Sequence, residues 1–236
     1  MDVLRPLIVP VAVRDAERHG SIDLYPPDEV TGPRPTVLFV HGGPVPAELR
    51  PTPRDWPQYR AYGSLAAARG VVGATVDHRL HSPAAYPDAA ADVRAAADAV
   101  RADPRVDDDR LALWFFSGSG MLAADWLRDP PPWLRCLTLS YPLLRPLPGW
   151  PADPRFLPAD AVARAGDLPI VLTRVGQENP AIAEGVEGFV AASAGARLEI
   201  VEVPHGHHAF DVLDDDDGSR AALTRAVDLV LATLGR

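Results

Sequence analysis

Short apolar runs rich in β-branched residues alternate with alanine-rich stretches of helical length, and this alternation constrains the fold more than any other feature. It predicts an α/β chain, a mostly parallel sheet with helices on both faces. Runs such as Thr36-Val-Leu-Phe-Val40 have no polar side, so they suit strands covered on both faces. Strands are expected at Ile8–Val13, Ser21–Leu24, Thr36–Val40, Val71–Val76, Leu111–Phe116, Cys136–Ser140, Ile170–Arg174 and Leu198–Val203. Helices are expected near Gln58–Arg69, Pro87–Ala102, Gly120–Leu127, Ala181–Ala192 and Arg220–Leu234. The first strand contains Pro10 and is read as an edge strand, where a missing N–H is tolerated.

No repeat or long linker divides the 236 residues, so one domain over 1–236 is expected. The chain carries 32 acidic and 23 basic residues, a formal charge of −9. Nothing in it resembles a basic stripe that would track phosphates, so no nucleic-acid partner is expected. No apolar run approaches the roughly 20 residues needed to cross a bilayer, so no membrane partner is expected either. Leu7–Val13 is interrupted by Pro10 and is followed by charged residues without a cleavage pattern. With a single cysteine, Cys136, the chain reads as cytoplasmic.

Three segments carry candidate chemistry. Leu111-Ala-Leu-Trp-Phe-Phe-Ser-Gly-Ser-Gly120 runs a buried strand into a serine, small residues and a helix, the layout of a nucleophile elbow. Ser117 is the favoured nucleophile because Gly118 follows it, where a backbone N–H would face an oxyanion. Ser119 is the competing frame, with Met121 where a small residue is wanted. Upstream, His41-Gly-Gly-Pro44 follows a buried strand, and a glycine pair there can aim backbone N–H groups outward. Gly43 and Gly118 are the expected oxyanion donors, Gly42 shapes the loop, and His41 orients it. Downstream, Val203-Pro-His-Gly-His-His-Ala-Phe-Asp211 offers His208 as general base. A His/Asp metal cluster and a solvated histidine loop are the other readings of that segment. The Asp214–Asp217 run is read as a solvated turn capping the last helix. Glu178, after the strand Ile170–Arg174, is the expected acid that orients the histidine, with Asp211 as its competitor.

The order Ser117, Glu178, His208 is that of the α/β-hydrolases. The chain resembles that superfamily, nearest its dienelactone-hydrolase-like and small esterase/lipase-like members. His41-Gly42-Gly43 resembles the HGG oxyanion motif, and Phe116-Ser117-Gly118-Ser119-Gly120 is similar to the F-S-A-G-G elbow. Val76-Asp-His-Arg-Leu80, Val106-Asp-Asp-Asp-Arg-Leu-Ala-Leu113 and His208-Ala-Phe-Asp211 resemble further family segments, in order from about Val37 to Asp211. The eight expected strands give a mostly parallel eight-stranded sheet, and Tyr141–Leu168, between the sixth and seventh of them, is too short for a large cap domain. The resemblance implies a serine hydrolase acting on a small carboxylic ester, lactone or thioester through an acyl-enzyme.

No metal or organic cofactor is expected. A lyase or cyclase using the same site, and a catalytically inactive ligand-binding module, are the other function classes. Serine replaces the cysteine of dienelactone hydrolases, so their substrate is not implied. Glu178 stands where aspartate is usual, and Phe115 replaces the elbow's first glycine, where a large side chain is expected to distort the turn. Two proline- and aromatic-rich loops, Pro44–Gln58 and Tyr141–Ala159, are expected over the carboxyl edge of the sheet. Trp56, Trp150 and Phe156 would then wall a shallow substrate cleft.

Overall fold

The computed structural model describes residues 4–29 and 32–235. Its strands are β1 (Glu17–His19), β2 (Ile22–Tyr25), β3 (Arg34–Val40), β4 (Val72–Val76), β5 (Val106–Phe116), β6 (Leu134–Ser140), β7 (Ile170–Gln177) and β8 (Leu198–His207). They form one eight-stranded sheet in the order β1-β2-β4-β3-β5-β6-β7-β8. β2 pairs antiparallel with β1 and β4, and every other pairing is parallel.

The helices are α1 (Pro57–Ala68), α2 (Tyr86–Arg101), α3 (Ala123–Arg128), α4 (Pro158–Ala161), α5 (Pro180–Ala192), α6 (Phe210–Leu213) and α7 (Asp217–Leu234). Prolines open α1, α4 and α5, where the absent N–H leaves no hydrogen bond unmade. Asn179 caps α5 through the Ala181 N–H, and Asp216 caps α7 through that of Ser219. Asp216 thus acts as the capping turn expected of the Asp214–Asp217 run, whereas Asp214 turns back to His207.

Side chains alternate along β5. Leu111, Leu113 and Phe115 join one core with α2, α3 and α5, while Ala112, Trp114 and Phe116 join the other with α1 and α7. The register keeps the carboxyl ends level: Val40 pairs with Val76 and Phe115, Phe116 with Ser140, and Ser140 with Thr173. The segments after β3, β5, β6 and β7 therefore emerge along one edge.

Two expectations fail. Ile8–Val13 is not a strand; the sheet begins instead with β1, whose three residues are all exposed. The apolar character of that segment serves packing, with Leu7 and Ile8 buried in the α1/α7 core and the Ile8 N–H bonded to Asp211 O. The helix after the elbow does not run from Gly120 as one piece. Ser117–Leu122 is a 3-10 turn, and α-helix begins at Ala123.

Candidate active site

Ser117 directly follows β5 with φ at +50°, a left-handed conformation that non-glycine residues seldom adopt. Its surroundings enforce the turn, since Leu143 N–H donates to Ser117 O at 2.8 Å. A Cβ on Gly118 would lie 1.7 Å from Gly43 O, so only glycine lets the elbow and the Gly42-Gly43 loop meet backbone to backbone. Tyr86 OH fixes the other side of that peptide by donating to Gly118 O at 2.9 Å. Phe115 does not distort the turn, because it points away from it into the α2/α3 core and is fully buried there.

Ser117 Oγ lies 2.7 Å from His208 Nε2. His208 Nδ1 lies 2.7 Å from Glu178 Oε2, and Glu178 Oε1 accepts the Asn179 N–H at 2.7 Å. The sheet explains why residues so far apart in sequence meet. Gln177 pairs with His207 at the end of β7 and β8, so Glu178 and His208 leave adjacent strands at the same level. The left-handed Ala209, φ +64°, then turns the chain away. The Glu178 side chain is 4% exposed and that of His208 23% exposed, so the acid is shielded while the imidazole stays reachable.

Ser119, the competing nucleophile, is fully buried. Its Oγ accepts the Phe116 N–H and bonds back to the carbonyls of Val40 and Phe116, tying β3 to β5. Asp211, the competing acid, is also fully buried and engaged elsewhere. Its Oδ2 accepts from Tyr62 OH at 2.6 Å, Gln58 Nε2 at 3.0 Å and Tyr141 OH at 3.0 Å. Burial pushes its carboxyl above the ordinary value, against the pull of those three donors.

On the Gly-Gly loop, the Gly42 N–H is already taken by Tyr59 OH at 3.1 Å, so Gly42 shapes the loop and donates inward. The Gly43 N–H has no hydrogen-bond partner among the described residues. Gly118 is the second residue of the 3-10 turn, where N–H groups have no partner within the helix.

Beneath them His41 stacks on His78 with ring centroids 3.8 Å apart. His41 Nδ1 bonds to Gly42 O at 2.5 Å, and His78 Nε2 bonds to His41 O at 2.9 Å. Each ring is thereby assigned one neutral tautomer. Burial holds both below the ordinary value, His78 at about 4, with His78 and His81 adding to the effect at His41 and His81 at His78. Both rings brace the loop as neutral imidazoles. The role of His78 was not legible from sequence, nor were those of Gln58, Tyr59, Tyr62 and Tyr141; spacing along α1 shows only that the residues it carries face inward.

Of the three aromatic residues expected to wall a cleft, Phe156 is the one the structure takes out of it. Phe156 is fully buried against Tyr86, at 5.5 Å, so it offers no surface to a ligand. Trp56 is 8% exposed, with its indole N–H donated to Pro51 O, and packs on Tyr59. Trp150 leans on the aliphatic core. The loop after β6 therefore folds down onto the α2/α3/α5 side, since its Leu143, Leu144, Ala161 and Val162 are buried there. Beside Glu178 a cavity of about 210 Å³ is lined by Tyr141, Pro142 and Val186 together with the charged Arg174, Glu187 and Glu202, and neither Ser117 nor His208 belongs to its lining.

The three histidines at the end of β8 and directly after it do not converge: His207 pairs with Asp214, His208 faces Ser117, and His205 is exposed. Among the described residues no three His, Cys, Asp or Glu side chains are grouped to hold a metal ion. Nor is any helix among them long and apolar enough to cross a membrane.

The BD-FAE family model matches residues 22–125, from β2 into α3. No curated protein matches the chain. Among solved structures, esterase 2 of Thermogutta terrifontis phosphoramylated by tabun is 21% identical, with a TM-score of 0.72 over 97% of this chain and 93% of that one. The propionate-bound esterase of the same organism is 22% identical, with a TM-score of 0.67 over 89% and 88%. A puromycin hydrolase is 22% identical, with a TM-score of 0.66 over 91% of this chain and 37% of its own. The fold is that of the α/β-hydrolases.

Proposed function

We propose that this α/β-hydrolase-fold chain cleaves a small carboxylic ester, lactone or thioester through an acyl-enzyme on Ser117. The line from Ser117 Oγ through His208 to Glu178, with two contacts of 2.7 Å, carries the reading. His208 Nε2 accepts the hydroxyl proton as Oγ attacks the carbonyl carbon, and the carbonyl π electrons move onto oxygen. Glu178 holds the Nδ1–H tautomer and stabilises the imidazolium. The N–H groups of Gly43 and Gly118 receive the oxyanion. Collapse expels the alkoxide or thiolate, which takes the proton from His208. Water activated by the same imidazole then releases the acid and regenerates Ser117.

Substrate size follows from what surrounds the serine. Trp56 and Phe156 are core residues, and the Tyr141–Leu168 segment between β6 and β7 is too short to build a large cap over the serine. A methylene contributes about 0.8 kcal/mol only where it is buried. A propionate-bound neighbour of the same fold accords with a short acyl group. Acetate and butyrate aryl esters should therefore turn over faster than palmitate esters. Faster palmitate hydrolysis would contradict the small site, and a labelled serine with no ester turnover would favour the lyase or cyclase class.

A further inference from the structure

The first turns of α1 reach both halves of the site. Tyr59 OH accepts the Gly42 N–H at 3.1 Å, on the oxyanion side. Its helix neighbours Gln58 and Tyr62 donate to Asp211 Oδ2 at 3.0 and 2.6 Å, on the histidine side. Gln58 Nε2 also donates to Tyr141 OH at 2.9 Å, and that hydroxyl donates in turn to the same Asp211 oxygen. Tyr141 in turn sets its ring edge against the His208 imidazole, with centroids 5.1 Å apart. Asp211 follows His208 by three residues, across the left-handed Ala209.

The side chains of Gln58, Tyr59, Tyr62, Tyr141 and Asp211 are all buried. A carboxylate removed from water is costly even when hydrogen-bonded, and an apolar side chain would serve packing as well. The directed hydrogen bonds supply what an apolar contact cannot, a fixed placement of two loops relative to one rigid helix. The oxyanion loop at Gly42 and the base loop at His208 belong to opposite ends of the sequence, and α1 is hydrogen-bonded to both.

We propose that Gln58, Tyr59 and Tyr62 on α1 are positioning residues that set the oxyanion loop against the His208 loop, through Gly42 on one arm and Asp211 with Tyr141 on the other. This rests on the serine-hydrolase reading above. None of these side chains touches the reacting atoms. They act through the spacing between the Gly43 N–H and His208 Nε2, where a misplacement of about 1 Å can cost roughly 100-fold in rate.

The test compares Tyr59→Phe, Asp211→Asn and Tyr141→Phe in the full chain. It reads kcat and KM on a short aryl ester, amide exchange at Gly42, and the downfield Nδ1–H proton resonance of His208. Tyr59→Phe should lower kcat about 10-fold with little change in KM. It should also speed exchange at Gly42 and leave the His208 resonance in place. Tyr141→Phe and Asp211→Asn should shift or broaden that resonance, lower kcat, and leave Gly42 exchange unchanged. Should Asp211→Asn fail to fold, Tyr141→Phe tests that arm alone. Unchanged exchange in Tyr59→Phe together with an unchanged resonance in Tyr141→Phe would overturn the inference. A wild-type chain without ester turnover whose two signatures still respond as described would overturn the hydrolase reading and leave the positioning role standing.

Discussion

Phe115 and Phe116 are neighbours on β5, equally inaccessible to solvent, and they point into two different kinds of interior. Phe115 enters a core built mainly of leucine, valine and alanine from β3, β6, α2 and α3, with Tyr86 and Trp126 among them. Phe116 enters an aromatic cluster, with ring centroids 4.9 Å from Tyr62, 5.4 Å from Tyr59 and 6.0 Å from Tyr141. The hydroxyls of those tyrosines reach Asp211 and the oxyanion loop. The Phe116 face therefore carries a network of hydroxyls under the Gly42-Gly43 and His208 loops, whereas the Phe115 face is mainly apolar packing and reaches the elbow through the Tyr86 hydroxyl.

The two carboxylates nearest the His208 loop give the sharpest contrast. Glu178→Gln should lower turnover by about 10⁴-fold, through loss of the histidine tautomer, while the melting temperature stays nearly unchanged. Asp211→Asn should cost less in turnover and more in stability, because it disturbs a fully buried cluster. A larger turnover loss in Asp211→Asn would reverse the assignment of the acid.

The phenylalanine pair follows. Either change to alanine should cost about 3–5 kcal/mol of stability in denaturant unfolding. Per active site titrated, Phe116→Ala should also lose about 10-fold in kcat, whereas Phe115→Ala should keep it. Equal kcat losses would erase the distinction between the faces.

The smallest effect concerns the histidine stack under the oxyanion loop. The folded His78 value, about 4, lies below the ordinary 6.5, so between those limits the unfolded chain binds more protons. Stability should therefore fall as pH is lowered from about 6.5 towards about 4, with His41 acting in the same direction. His78→Asn should flatten that slope in thermal melts, and an unchanged slope would show that the stack does not stay neutral.

The central parallel strands were legible because each is a continuous apolar run covered on both faces. The edge was not. β1 is Glu17-Arg18-His19, fully exposed and without any hydrophobic pattern, and it is a strand only because Gly20, at φ +59°, turns it onto β2. The apolar stretch before it looks like a strand but packs as a strap over the α7 side. At the site, the strand-to-helix layout pointed to Ser117 and the segment after β8 to His208. The contact of Glu178, the expected acid, with His208 Nδ1 depends on the β7–β8 register, and the burial of Phe156 on the downward path of the loop after β6. Both are set by long-range packing, which local pattern does not encode.

The central claim is that Ser117, strained at the end of β5 and bonded to His208, is the nucleophile. Fluorophosphonate labelling followed by peptide mapping addresses it directly. A single adduct on Ser117, absent in Ser117→Ala and strongly slowed in His208→Ala, is the expected result. An adduct on Ser119, or no adduct on a correctly folded chain, would contradict it.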